Sequence, residues 1–177
     1  MKTVISIFLI SVFGALKAQA FEFKLNHCES SSLIFLKEKN LHFENLMLEP
    51  IIYDKLISDS DFEILNTQFD KIFKKRHDEV WLNHCIDDGT NLKFHLSKNG
   101  FTKKVFVGNY FDERLNVIAL VLNKYILEIE TPYIVTIPYG TSNKGNIKEQ
   151  IKRQRKCKDA PEEYKERMLN VWCEPYK

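Results

Sequence analysis

The chain has 177 residues, 44% of them hydrophobic, and its 26 lysines and arginines outnumber its 24 aspartates and glutamates by two. This length and apolar content suit one folded domain with a hydrophobic core. Lys2 and Lys17 are the only charged residues in the first twenty positions, so the rest of the chain is neutral overall. That balance argues against nucleic acid as a partner, because such binding needs a strongly basic surface.

The first twenty residues have the pattern of a secretory signal peptide. Lys2 precedes an apolar run over 4–16, and Ala-Gln-Ala follows at 18–20, which is typical of a leader cleaved after Ala20. The apolar run is well short of the roughly 20 residues that a membrane-spanning helix needs. We therefore expect an exported mature protein, periplasmic or extracellular, that begins at Phe21 and has no transmembrane segment.

Before the first helix the pattern predicts β structure. Residues 21–25 alternate between apolar and charged, as in a half-buried strand. Apolar runs over 33–37 and 41–48 predict a hairpin, and 51–57 fits either a strand or a short helix. Ser60 and Glu63 then fit a capping box that would open an amphipathic helix ending near residue 76.

The stretch at about residues 79–110 predicts three strands joined by tight turns at Asp88-Gly89 and Asn99-Gly100. On the middle strand, apolar and polar side chains alternate: Leu92, Phe94 and Leu96 against Lys93, His95 and Ser97. We expect an antiparallel meander whose apolar face is covered by other elements.

Two later segments complete an α+β prediction. Asp112 can cap a second amphipathic helix over about 113–127, and residues 144–177 have a helical composition, basic at first and then acidic. Residues 21–177 are therefore expected to form a single α+β domain. In it, two amphipathic helices cover the meander, and a disulfide tethers the helical C-terminal tail.

The four cysteines, Cys28, Cys85, Cys157 and Cys173, predict two disulfides in an exported protein. A helix between Cys157 and Cys173 would span about 18 Å at ~1.5 Å per residue. A disulfide needs Cα atoms within roughly 4.4–6.8 Å. We therefore predict that each tail cysteine pairs with Cys28 or Cys85.

The dipeptides His27-Cys28 and His84-Cys85 contain ligand types that zinc prefers. Neighbouring residues on a strand point to opposite faces, so each dipeptide would offer one ligand to a given site. Structural disulfides are favoured, and neither a metal nor a cofactor is predicted.

No catalytic motif is present in the sequence: it lacks a Gly-x-Ser-x-Gly elbow, a His-Glu-x-x-His pair and a phosphate-binding glycine loop. We therefore name no catalytic residue. His77, His84 and His95 lie in or beside the stretch 79–110, so a secreted hydrolase with a histidine-centred site is the main alternative.

We expect a non-enzymatic protein that binds another protein, such as an inhibitor or an immunity protein that neutralises a toxin or an enzyme. Aromatic side chains at the rim of an exposed sheet face are typical of such surfaces. The candidate contact residues lie on the polar face of the meander and at its end: Lys93, His95, Lys103, Lys104, Tyr110 and Phe111.

A basic segment in the tail has two interpretations. It could contact an anionic surface, including lipid headgroups at the membrane, or it could pair with the acidic helix that begins at Glu162, which is the favoured interpretation. Its candidate contact residues are Lys148, Lys152, Arg153, Arg155 and Lys156.

Overall fold

The computed structural model describes residues 21–27, 32–45, 51–85, 91–128, 143–157 and 159–170. In chain order the elements are β1 (Phe21–His27), β2 (Ser32–Lys37), β3 (Asn40–Asn45), β4 (Ile51–Leu56), α1 (Asp59–Phe73), β5 (Glu79–Leu82), β6 (Asn91–Lys98), β7 (Phe101–Gly108), α2 (Glu113–Ile126), α3 (Lys144–Lys156) and α4 (Glu162–Asn170). The α+β class is confirmed. The predicted signal peptide, the Asp88-Gly89 turn, Cys28 and Cys173 lie outside the described residues.

The seven described strands form one sheet in the order β4-β3-β2-β1-β6-β7-β5. Strands β1 to β4 follow one another as an antiparallel meander, and β1 also pairs antiparallel with β6. The predicted hairpin between 33 and 48 corresponds to β2 and β3, and the ambiguous stretch 51–57 contains strand β4.

The meander predicted over about 79–110 is correct only in its second half. Strands β6 and β7 form an antiparallel hairpin, with Asn99 at φ 51° and Gly100 at φ 80° in the turn. Strand β5, however, pairs in parallel with β7 at the edge of the sheet. The prediction is wrong there because β1 occupies the other edge of β6 along seven residue pairs, more than the four residues of β5 could form.

Gly108 lets the end of β5 lie close to β7. A Cβ atom at this position would stand 2.6 Å from Cδ1 of Leu82, a separation that side-chain atoms do not tolerate. The backbone amide of Asn83 then donates to the carbonyl of Gly108 at 2.9 Å. The lack of a side chain at Gly108 therefore leaves room for the Leu82 side chain at the end of β5.

The core lies on one face of the sheet, the core face, which carries Leu92, Phe94 and Leu96. Both α1 and α2 contribute to the same cluster. Its buried members include Leu65, Phe69 and Ile72 of α1, Leu115, Ile118 and Leu122 of α2, and Ile34, Phe43, Val105 and Val107 of the strands. The two helices also contact each other.

The helix caps follow local chemistry. Asp112 caps α2 as predicted, accepting from the amides of Arg114 and Leu115. Helix α1 is capped by Ser58, whose hydroxyl accepts from the amide of Asp61 at 3.2 Å. The capping box predicted at Ser60 is wrong, because the chain is already helical there and Ser58 has the extended backbone (φ −62°, ψ 153°) that a cap needs.

The tail packs on the opposite side of the sheet, the second face, which carries Lys93, Phe106 and other residues that alternate with the core positions. Helix α4 contacts β5 and β7, and its Met168 and Leu169 line a small cavity with Lys93 and Phe106. None of the helices in the described part of the chain is both long and apolar enough to cross a membrane.

A disulfide between Cys85 and Cys157 holds the tail to the end of β5. The two Cα atoms lie 5.8 Å apart, and the cysteines are separated by 72 positions. Gln154 adds a second link, because its side chain accepts from the amide of Phe111 and donates to the carbonyl of the same residue. The disulfide-tethered tail is thus confirmed for one of the two expected bridges.

Candidate functional site

A cleft of about 620 Å³ opens beside β5, between the end of α1 and the start of α4. Ionisable side chains dominate its walls, together with two aromatic rings. The lining residues are Lys71, Lys74, Lys75, His77, Asp78, Glu79, Val80, Trp81, Tyr110, Asp112, Arg114, Glu162 and Lys165. Strand β5 thus forms one wall of the cleft and is also the last strand of the sheet in the part of the chain that the structure describes.

Arg114 is a fixed cation on the aromatic wall of the cleft. Its guanidinium lies 4.6 Å from the centroid of the Trp81 ring, within the range of a cation–π interaction. Asp112 holds it through two carboxylate oxygens, with Nε 2.9 Å from Oδ1 and the terminal nitrogen 2.6 Å from Oδ2. That hydrogen bonding is the main cause of the raised pKa of Arg114. Because Asp112 also caps α2, the helix start positions the cation.

Glu79 and Lys103 form a buried support beneath the cleft. Lys103 donates to Glu79 and to the backbone carbonyls of Ile72 and Lys75 at the end of α1. Burial alone would raise the pKa of Glu79, but the hydrogen bond and charge of Lys103, together with Lys75, outweigh it and lower the pKa. Glu79 therefore stays ionised, and its charge is already compensated.

The other acids of the cleft are also engaged. Asp78 accepts from the backbone amide of Lys104 at 2.7 Å, and Glu162 pairs with Lys165 at 2.7 Å. By contrast, within the part of the chain that the structure describes, Lys71, Lys74 and His77 have no ion pair with a carboxylate. The end of α1 therefore brings to the cleft two lysines that form no ion pair with a described acid.

The residues predicted as one partner-binding surface do not lie together. Lys103 lies on the core side and is 1% exposed, and Lys93 is 6% exposed on the second face. Burial, followed by the charge of Lys104, lowers the pKa of Lys93. Phe111 is 8% exposed, whereas Tyr110 lines the cleft. Helix α4 lies over part of the polar face, which strand alternation alone could not reveal.

Strand parity explains the remaining pair. His95 and Lys104 face each other across β6 and β7 on the second face, where both line the small cavity under Met168. They share this face with Lys93 but not with Lys103. The six candidates are therefore divided between the second face, the core side and the cleft.

The three histidines of the hydrolase alternative have different settings. His77 lines the large cleft together with Asp78, and His95 lines the small cavity on the second face and a further cavity that Asp78 also lines. The Nδ1 atom of His84 lies 3.6 Å from Sγ of Cys157.

A different histidine pair was not predicted from the sequence. Nδ1 of His42 lies 2.7 Å from a carboxylate oxygen of Asp54, and Nε2 of the same ring lies 3.9 Å from a carboxylate oxygen of Glu44. His42 and Asp54 are cross-strand partners in β3 and β4. Only the register of that pairing could have brought them together. Among the described contacts of this pair there is no hydroxyl or thiol that could serve as a nucleophile.

The basic residues of α3 are exposed along the helix. Lys148, Lys152, Arg155 and Lys156 have no carboxylate partner among the described residues, and Arg153 pairs with Glu149 of the same helix at 2.6 Å. Glu162 pairs within α4 instead. The expected pairing between the basic segment and the acidic helix is therefore absent from the ion pairs that the structure describes.

No model of a known protein family matches this chain, and no curated protein matches it at a significant level.

Proposed function

We propose that this protein is an exported, non-enzymatic module that binds another protein by receiving an acidic segment of that partner in the cleft beside β5. An inhibitor, or an immunity protein that neutralises a toxin or an enzyme, is the kind of protein that acts in this way. The leader pattern in the sequence and the Cys85–Cys157 disulfide support the exported location.

One observation carries the proposal: an edge strand, an aromatic wall and uncompensated cations meet in a single cleft. Among the described strands β5 pairs only with β7, and Val80 and Trp81 line the cleft. An edge strand offers backbone donors and acceptors to an added extended peptide. Trp81 with Arg114 supplies the kind of rigid anchor that dominates many protein interfaces.

The charges favour an acidic partner segment. Glu79 and Asp112 are compensated by Lys103 and Arg114, while Lys71 and Lys74 are not paired with any described carboxylate. A carboxylate that enters the cleft could form ion pairs with these two lysines without having to displace an acid of the protein. Electrostatic complementarity of this kind raises the association rate and selects among partners.

A second surface supports an alternative. The exposed face of α3 carries Lys148, Lys152 and Arg155 without described carboxylate partners, and such a stripe can contact anionic lipid headgroups. The cleft is favoured because it adds an aromatic wall and a strand edge to the charge.

The test is affinity capture with the mature chain, residues 21–177, from envelope and secreted fractions. Wild type is compared with Lys71→Glu/Lys74→Glu and with the matched control Lys148→Glu/Lys152→Glu, which changes the net charge equally on α3. We expect one stoichiometric protein to be retained by wild type and by the control, and to be lost by the cleft variant. Equal loss from both variants, or no partner with wild type, would contradict the proposal.

A further inference from the structure

Directly after β5 the chain enters a turn at His84 and Cys85. Asn83 is buried, and its side-chain oxygen accepts from the amide of Cys85 at 3.3 Å. His84 and Cys85 therefore lie in a turn rather than on a strand. The expectation that adjacent His and Cys side chains point to opposite sides does not apply here, because it holds only for extended backbone.

Three ligand-type side chains converge at this turn. One ligand atom from each of His84, Cys85 and Cys157 lies within 4.8 Å of the other two, and Nδ1 of His84 is 3.6 Å from Sγ of Cys157. An imidazole and two thiolates suit Zn²⁺, and three protein ligands with water as the fourth form a known type of zinc site. In the oxidised protein the two sulfurs are bonded to each other and cannot serve as thiolates.

We propose that reduction of the Cys85–Cys157 disulfide converts this cluster into a site for one Zn²⁺, bound by Nδ1 of His84 and by both thiolates. A dithiol reductant breaks the S–S bond, supplies two electrons and two protons, and becomes a disulfide itself. The metal then displaces the two thiol protons to solvent. The fourth ligand position is left to water.

The consequence is a tether that can exist in two chemical forms. Cys157 ends α3, and Cys85 follows the strand that lines the cleft. In the oxidised protein a covalent bond joins these two places, and in the reduced protein the metal would join them. Loss of both the disulfide and the metal would release the link between the tail and the end of β5.

The experiment measures Zn²⁺ and Co²⁺ binding to the full mature chain before and after reduction. A trialkylphosphine is used as the reductant. It reduces the disulfide to two thiols and is itself oxidised to the phosphine oxide, with the oxygen coming from water. Unlike a dithiol, it does not compete with the protein for the metal. Reduced wild type should bind Co²⁺ with thiolate-to-metal charge-transfer absorption, and Zn²⁺ should displace it. Oxidised wild type should bind neither metal. Failure of the reduced protein to bind, or equal binding by the oxidised protein, would overturn the proposal.

Three variants assign the ligands. His84→Ala should weaken binding at least tenfold, whereas His77→Ala, which removes a histidine of the cleft, should leave it unchanged. Cys28→Ser/Cys173→Ser retains only the cysteines of the proposed site and should still bind one Zn²⁺ per chain. If that variant does not fold, the comparison of His84→Ala with His77→Ala still decides the question. Equal affinity of those two variants would refute the assignment of His84.

Discussion

Lys103 and Glu79 form an ion pair that is almost wholly removed from water. The ammonium lies 2.5 Å from the carboxylate, and the side chains are 0% and 10% exposed respectively. The same ammonium donates to the backbone carbonyls of Ile72 and Lys75. A single cation thus joins β7, β5 and the C-terminal end of α1, where the helix dipole favours positive charge. This arrangement supports the cleft from below.

Removing either member of this pair should destabilise the fold strongly. Glu79→Gln or Lys103→Met leaves an uncompensated buried group, and breaking a buried pair typically costs about 3–5 kcal/mol. Urea unfolding of the mature chain measures the change. The double variant Glu79→Leu/Lys103→Met should lose less than the sum of the single variants, because no charge remains buried. A loss under about 0.5 kcal/mol in both single variants, the range of ordinary surface substitutions, would show that the pair is not structural.

The same pair predicts a pH dependence of stability. The pKa of Glu79 lies below its ordinary value of 4.5, so the folded state binds fewer protons than the unfolded state in that range. The stabilisation from Glu79 is therefore complete above about pH 4.5 and is lost as the pH falls through the folded pKa.

Thermal unfolding at a series of pH values tests this dependence. The melting temperature should fall on acidification below pH 4.5, and Glu79→Gln should show a shallower fall. Some acid sensitivity should remain, because the pKa of Asp61 is also lowered. Burial alone would raise that pKa, but hydrogen bonds from Lys124 and Tyr125 outweigh the effect of burial. Identical profiles for wild type and Glu79→Gln would rule out a role for this carboxylate.

The disulfide should contribute substantially to stability. Cys85 and Cys157 are 72 positions apart, and closing a loop of that length is worth about 4 kcal/mol in the chain-entropy model. Cys85→Ser/Cys157→Ser should therefore unfold at a markedly lower urea concentration.

Mass spectrometry of the unreduced, unfolded mature protein should find two disulfides and no free thiol. A free thiol would contradict the predicted pairing of all four cysteines.

Asp112 has two roles that matched variants can separate. Asp112→Ala removes both the helix cap and the partner of Arg114, so stability should fall by about 0.5–2 kcal/mol. Asp112→Asn can still cap the helix but loses the charge that holds Arg114. Stability should then be nearly retained, while capture of a partner in the cleft should weaken. If Asp112→Asn retained both its stability and the capture of the partner, Asp112 would act only as a cap.

Several features of the candidate site depended on contacts that local patterns do not report. Lys93 and Lys103 were both expected on an exposed face. Instead, α4 lies over Lys93, and Lys103 donates a hydrogen bond to a backbone carbonyl at the end of α1. His42 and Asp54 meet only through the register of β3 with β4. Trp81 and Arg114 belong to different elements, and their stacking follows from the parallel position of β5.

The sequence by itself determined the elements whose cause is local. The turn at Asn99 and Gly100 forms because these residues tolerate positive φ, and Asp112 caps α2 because its carboxylate reaches nearby amides. The cysteine count and the geometry of a helical tail also favoured a bridge from the tail to the body. The partner of β5, the burial of charged side chains and the assembly of the cleft were decided by the tertiary structure. These features depend on which distant segments pair with a given strand edge or cover a given sheet face. Periodicity along the chain does not show which segment occupies each position.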